Sequence, residues 1–335
     1  MAARRSAVCD QRHRSDGWSH PGRSRPMSMR IGLSVYDISG AELVQLAAAA
    51  DEAGFESLWL GEHIVLPSDY GSEHPTTGDT AHQHHTGPIV DPSTRLLDPL
   101  VALAACASVT TNLRLATGIF ILPLRHPLLT ARMTLTLQDV AGGRFLLGVG
   151  SGWLEEEFDA LGVPFGDRAA RMDETLAILR AAWSGDVFSH DGPLFPFGKV
   201  QLSPEPVDVP LILGGNTERA LRRSATSGDG WFSSGTPSFE DAVRLRDRVV
   251  ELRDAAGKHG AFPIYVRAAQ PDAADLARYE AEGFEHVLVW ADQLWPRTGD
   301  LDEKRQTFAT AAAGLGVERH PGQPAEQHGV ATAHG

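Results

Sequence analysis

Residues 143–153 read Gly143-Arg144-Phe145-Leu146-Leu147-Gly148-Val149-Gly150-Ser151-Gly152-Trp153, and the polar run Leu154-Glu155-Glu156-Glu157 follows. An apolar run of strand length ends in three glycines on alternate positions. This pattern predicts a buried strand that delivers its backbone to something that must come close, because residues without Cβ leave amides open to an anion such as a phosphate. By itself the motif fits a dinucleotide turn, a phosphate turn or a plain tight turn. The surrounding chain has to separate these.

On both sides of it the chain alternates short apolar runs with amphipathic stretches, the pattern of a parallel sheet with helical crossovers. Apolar runs at 31–35, 57–61, 114–122, 143–150, 210–213, 230–232, 264–267 and 286–290 predict eight strands. Ser39-Gly40-Ala41-Glu42 has the form of a capping box for a first helix that Gly54 ends, and Asp98-Pro99 supplies an N-cap and an N1 proline for a second. Further helices are predicted over 128–140, 168–183, 217–227 (with Asn216 as its cap), 238–257, 271–282 and 301–313. Strict alternation of this kind predicts an α/β fold, a (β/α)₈ TIM barrel with loop insertions at its C-terminal face. A doubly wound sheet is the other candidate, but the glycine motif lies too late for a first βαβ unit and lacks the third glycine at dinucleotide spacing. In a barrel, Glu62, His63, Gly118, Ser151, Trp153 and Gly214 would share one rim. The aperiodic stretches 66–97 and 184–209 read as insertions, the first as a lid or binding loop.

Composition narrows the function. A net charge of −13 argues against nucleic acid as the main partner, since affinity there rests on Lys and Arg neutralising phosphates. No apolar run reaches membrane-spanning length. The two cysteines, Cys9 in a polar tail and Cys106 in an apolar helix, make a disulfide framework or a Cys-based metal site improbable and fit a reducing cytoplasm. Residues 1–28 and 315–335 read as disordered flanks of a domain over 29–314, with Met1, Met27 and Met29 as candidate starts. Residues 1–28 lack the apolar core of a secretory signal.

Four segments carry a family resemblance: Leu58-Trp59-Leu60-Gly61-Glu62-His63; Thr117-Gly118-Ile119 with Leu124-Arg125-His126-Pro127; residues 143–158; and Leu213-Gly214-Gly215 with Gly228-Asp229-Gly230-Trp231. In this order the chain resembles the bacterial luciferase-like monooxygenases, and within them the branch that uses the deazaflavin coenzyme F420. The resemblance implies a TIM barrel with an insertion on the strand 7 side and a flavin-type cofactor across the mouth. It implies a cis peptide at Gly118-Ile119 behind the ring. It also implies cofactor-phosphate contacts from Gly150-Ser151-Gly152 and Gly214-Gly215-Asn216, with Gly230-Trp231 in the following strand.

Glu62-His63 matches an acidic-His pair placed against the ring, so His63 is expected to carry the proton that accompanies hydride transfer. Glu62 is expected to orient it or to bond the cofactor. Where the sugar-phosphate dehydrogenase branch has a carboxylate, this chain has Trp153, which implies a less polar substrate. The expected activity is thus an F420-dependent hydride transfer to or from a small organic molecule. FMN with oxygen chemistry is the alternative, and a non-catalytic flavin-binding barrel is an alternative of another class. Homodimer assembly is left open.

The histidine-rich stretch invites a metal reading, with His63, His74, His82, His84 and His85 beside Asp69, Glu73 and Asp79. Its spacing matches no recognised ligand set, so no metal is expected.

Overall fold

The computed structural model describes residues 29–69, 71–72 and 94–318. Eight parallel strands form its centre: β1 (Arg30–Val35), β2 (Ser57–Leu60), β3 (Arg114–Thr117), β4 (Phe145–Gly150), β5 (Leu211–Gly214), β6 (Gly230–Phe232), β7 (Ile264–Arg267) and β8 (His286–Trp290). Each pairs in parallel with its neighbours; β1 pairs with β8, and β3 with β4, so the sheet closes on itself. The fold is a (β/α)₈ barrel.

The helices are α1 (Gly40–Ala53), α2 (Pro99–Ala107), α3 (Pro127–Val140), the short α4 (Glu155–Ala160), α5 (Arg168–Trp183), α6 (Glu218–Ser227), α7 (Phe239–Ala255), α8 (Ala273–Ala281) and α9 (Leu301–Gly314). Their caps follow from sequence chemistry. Asp98 accepts from the amides of Leu100 and Val101, with Pro99 at the first helical position. At α1 only half of the expected box forms: Ser39 accepts from the Glu42 amide, while the Glu42 side chain pairs with Lys304 of α9. Helix α6 is capped by Thr217 rather than by Asn216, whose amide group instead exchanges two hydrogen bonds with the backbone of Ser234.

Two other expectations are corrected. The long third strand breaks after Thr117: Phe120–Ile121 continues pairing with β4, and residues 122–124 turn into a 3₁₀ helix. No insertion stands on the strand 7 side, where only residues 268–272 separate β7 from α8. The insertion at 184–209 carries an antiparallel hairpin in which Phe188–His190 pairs with Phe197–Val200.

The barrel interior is layered because side chains alternate along each strand. Trp59, Ala116, Leu146, Ile212, Phe232, Tyr265 and Leu288, one from each strand from β2 to β8, form an interior cluster, and Trp59 stacks on Phe232 at 4.9 Å. A separate, larger apolar cluster fills the space between strands and helices.

Two positions further along each strand lies the mouth: Ser34, Gly61, Gly118, Gly148, Gly214, Ser234, Arg267 and Trp290. Four adjacent strands, β2 to β5, therefore present glycine there. Arg267, Ser34 and Trp290 stand on the opposite side.

Beneath the barrel, buried Asp51 accepts the amides of Thr111, Asn112 and Leu113 at 2.6–2.9 Å and fixes the approach to β3. Burial alone would raise its pKa, but these amides overcome burial and hold the carboxyl below its ordinary value. Because the folded pKa is depressed, this stabilisation is complete above the unfolded value of about 3.9 and is lost as pH falls through the folded one. Asp51→Ala should destabilise the fold by about 3 kcal/mol, with a shallower acid limb below about pH 4, as measured by urea unfolding across pH.

Candidate active site

His63 sits three residues beyond β2, in the mouth. Its Nδ1 lies 2.8 Å from Oε2 of Glu157, a fully buried carboxylate at the start of α4. The other Glu157 oxygen accepts the amides of Ile64 and Val65, at 2.5 and 3.3 Å. Glu157 thus holds both the imidazole and the backbone that carries it. With Nδ1–H facing the carboxylate, Nε2 is the nitrogen left to exchange a proton. The His63 ring meets the Trp153 indole edge-on, with centroids 5.9 Å apart at 90°.

Glu62 does something other than expected. Its Oε2 accepts the Ile121 amide at 2.6 Å and its Oε1 pairs with Arg125 at 2.7 Å, so it ties the end of β2 to the segment after the β3 break. Burial pushes its carboxyl above the ordinary value, while Arg125 and the Ile121 amide pull the other way. The group that orients His63 is Glu157, which in sequence is one more residue of a polar run. Its signal was the step from acidic residues to Phe158, whose buried ring sets the face of α4 that turns inward.

The peptide between Gly118 and Ile119 is cis. The Ile119 side chain lies over the glycine half of the mouth: a Cβ on Gly150 would stand 2.7 Å from its Cδ1, and one on Gly214 3.1 Å from its Cγ2. Gly152 has φ +77°, and a Cβ there would press on the Phe158 ring at 2.7 Å. Since β4 pairs with β5, the turns Ser151-Gly152 and Gly214-Gly215 leave the barrel side by side.

Gly230 and Trp231 do not reach the mouth. Gly230 opens β6 at its far end, where a Cβ would meet the Pro263 carbonyl at 2.6 Å. Trp231 is buried behind the Gly214-Gly215 turn and donates its indole N–H to Gly215 O at 2.8 Å. Asn216 likewise holds that turn against Ser234. Arg125 and His126 are structural: Arg125 bridges Glu62 and Asp98, and His126 accepts the Leu128 amide at the head of α3.

The first turn of α4 carries three glutamates, so its positive end is already complemented by its own side chains. Glu156 gathers Gly71 N and the amide and hydroxyl of Ser72, which bind part of the long β2–α2 connection to the mouth. The Ser72 hydroxyl, with the nearby amides, draws its carboxyl down to about 2. His74, His82, His84 and His85, with Glu73 and Asp79, lie outside the described residues. Among the described residues no three His, Cys, Asp or Glu side chains cluster as a metal site, and no helix is long and apolar enough to cross a membrane.

A cavity of about 320 Å³ opens beside this arrangement between the ends of β1 and β8, lined by Tyr36, Asp37, Glu42, Trp290 and Trp295 among others. Asp37, at its lip, has φ +51°. Tyr36 forms its border with the His63 strand, since a Cβ on Gly61 would lie 3.2 Å from the Tyr36 ring. Nothing in the sequence patterning announced this space.

The model of the luciferase-like monooxygenase family matches residues 15–332, and the chain belongs to that family of oxidoreductases. An uncharacterized protein of Mycobacterium tuberculosis (strain H37Rv) is 34% identical over 248 residues, covering 73% of this chain and 83% of that protein. The FMNH(2)-dependent dimethylsulfone monooxygenase of Pseudomonas fluorescens is 28% identical over 229 residues, or 67% of this chain and 55% of that enzyme. Among solved structures, an F420-dependent secondary alcohol dehydrogenase in complex with an F420-acetone adduct superposes with a TM-score of 0.64 at 16% identity, covering 86% of this chain and 99% of that one.

Glu157→Ala would strip His63 of its anchor and leave two amides without their acceptor. It should lower the unfolding free energy by about 3 kcal/mol and accelerate amide exchange at Ile64 and Val65 more than within β2 itself, as read by hydrogen exchange.

Proposed function

We propose that this protein is an F420-dependent oxidoreductase that transfers a hydride between the deazaflavin and a small organic substrate, with His63 as the proton carrier. The observation that carries this reading is the His63–Glu157 pair, placed beside Trp153 above the glycine half of the mouth. When bound, the deazaflavin supplies or receives the hydride.

The residues present fit a flat ring system. Without Cβ atoms at Gly150 and Gly214 there is room for the Ile119 side chain, which lays an apolar floor on that side of the mouth. The Gly214-Gly215 turn, held from behind by Trp231, Asn216 and the bond from the Gly215 amide to Phe232 O, runs with φ +119° at Gly215 into helix α6, whose first-turn amides would receive an anionic tail. Ser151-Gly152 flanks it. The acidic first turn of α4 favours a tail nearer α6 than α4.

A hydride exchanged with a carbonyl or alcohol must be accompanied by one proton on oxygen. His63 supports that transfer: Glu157 fixes the ring through Nδ1, leaving Nε2 to give or take the proton. Trp153 adds an apolar wall that disfavours a heavily charged substrate. Retention of an anchored imidazole and two adjacent open turns argues against a barrel that has lost its chemistry.

A second reading, an FMN-dependent monooxygenase using reduced flavin and oxygen, is favoured by the likeness to the dimethylsulfone enzyme. Titration of the purified protein with each cofactor separates the two. Quenching of F420 fluorescence at micromolar concentrations, with FMN bound at least tenfold more weakly, is the expected outcome, and tight FMN binding without F420 binding would sink the first reading. His63→Ala should slow single-turnover reduction or oxidation of the bound cofactor by about 10²–10⁴-fold, with cofactor affinity changed only a few-fold.

A further inference from the structure

Seven of the eight mouth-layer positions are uncharged, and the eighth is Arg267, at the end of β7. It is 6% exposed. Its guanidinium lies over the rings of Phe232 and Trp290, 4.4 and 4.7 Å from their centroids. Nε donates to Ser34 Oγ at 2.8 Å, Nη1 to Gly235 O at 2.9 Å and Nη2 to Gly118 O at 3.4 Å.

Every one of these acceptors is neutral, and among the described residues Arg267 forms no ion pair. The carboxylates near the mouth have partners of their own: Glu62 the Arg125 guanidinium, Glu157 a hydrogen bond with His63, Asp37 Arg297 and Glu42 Lys304. Burial pushes the Arg267 guanidinium down to about 9, which leaves it cationic at neutral pH.

A desolvated cation with only neutral partners is expensive to maintain, and the cost is offset in a state that brings negative charge beside it. Its contact with Gly118 O places that cation at the edge of the segment where the proposed function puts the ring. Reduction by hydride leaves the pyrimidine side of a flavin or 5-deazaflavin negatively charged unless a proton follows, so the two cofactors make the same demand.

We infer that Arg267 is the electrostatic counterpart of the reduced cofactor, favouring the reduced ring, with the negative charge that hydride adds to it, over the oxidised ring. The inference rests on the reading that a flavin-type ring occupies the mouth, but not on which of the two it is. Arg267 acts as a positioning and field-setting residue, since its N–H groups are engaged by Ser34, Gly118 and Gly235. The competing account is a mechanical brace that cross-links β1, the β3 break and the β6–α7 loop.

The test is the affinity of the full-length protein for oxidised and reduced F420 and FMN, together with the midpoint potential of the bound cofactor, in wild type, Arg267→Met and Arg267→Lys. Wild type should bind the reduced form more tightly than the oxidised form. Arg267→Met should shrink that preference at least tenfold, a shift of about 30 mV toward more negative potential for a two-electron couple, while Arg267→Lys stays within about threefold of wild type. Equal weakening of both forms in Arg267→Met, or Lys and Met variants that behave alike, would assign Arg267 to the brace and overturn the proposal while leaving the cofactor reading intact. Should Arg267→Met not fold, wild type decides by itself, because a preference for the oxidised form overturns the inference. Binding of neither cofactor by wild type would remove both the cofactor reading and this one.

Discussion

Four adjacent strands reach the mouth of the barrel without a Cβ, and the geometry of the site depends on the room this leaves. The mouth layer is glycine at β2, β3, β4 and β5, and the Ile119 side chain can fold over Gly150 and Gly214 only because both positions are bare. After the break at Thr117, residues 120–121 resume parallel pairing with β4, and the Ile121 amide meets Glu62. Any side chain on Gly150 would push Ile119 off this floor and move the anchored end of β2 with it. Close packing makes such a displacement discrete and costly, unlike a graded loosening.

The two buried carboxylates near the mouth divide the work between structure and chemistry. Glu62 is closed off by Arg125 and a backbone amide, and what it determines is the distance between β2 and the segment after the break. Glu157 leaves the imidazole in contact with the mouth while satisfying the backbone on which that imidazole is carried. Adjacency in sequence suggested that Glu62 and His63 were partners. Beyond the end of β2 the two side chains part, Glu62 to Arg125 and the Ile121 amide and His63 to a partner 94 residues away.

The opening glycine motif was legible as a strand exit, but its glycines proved to serve separate ends. Gly148 permits the approach of Thr117, whose hydroxyl donates to Gly148 O at 2.7 Å; Gly150 makes room for Ile119; Gly152 takes a left-handed turn. Equal spacing had suggested one shared purpose, a row of amides for an anion. Helix ends were read well where a side chain caps its own backbone, as at Asp98-Pro99. Where a side chain's decisive contact is distant, the local pattern does not show it: Asn216 is held by Ser234, and the Glu42 side chain by Lys304. Arg267 gave no signal at all, because a lone arginine at the end of a short strand is indistinguishable in sequence from a surface one.

The sequence by itself determined the alternation of strands and helices, most of their boundaries, and the set of strand ends at which chemistry gathers. These follow from local periodicity and capping, which operate over a few residues. Only the tertiary structure decided which carboxylate holds His63, which glycines make space and which make turns, and which cation is left without a counter-charge. Those outcomes depend on barrel closure, which brings β1 against β8 and β3 against β4, and on the desolvation that closure imposes on every group facing inward.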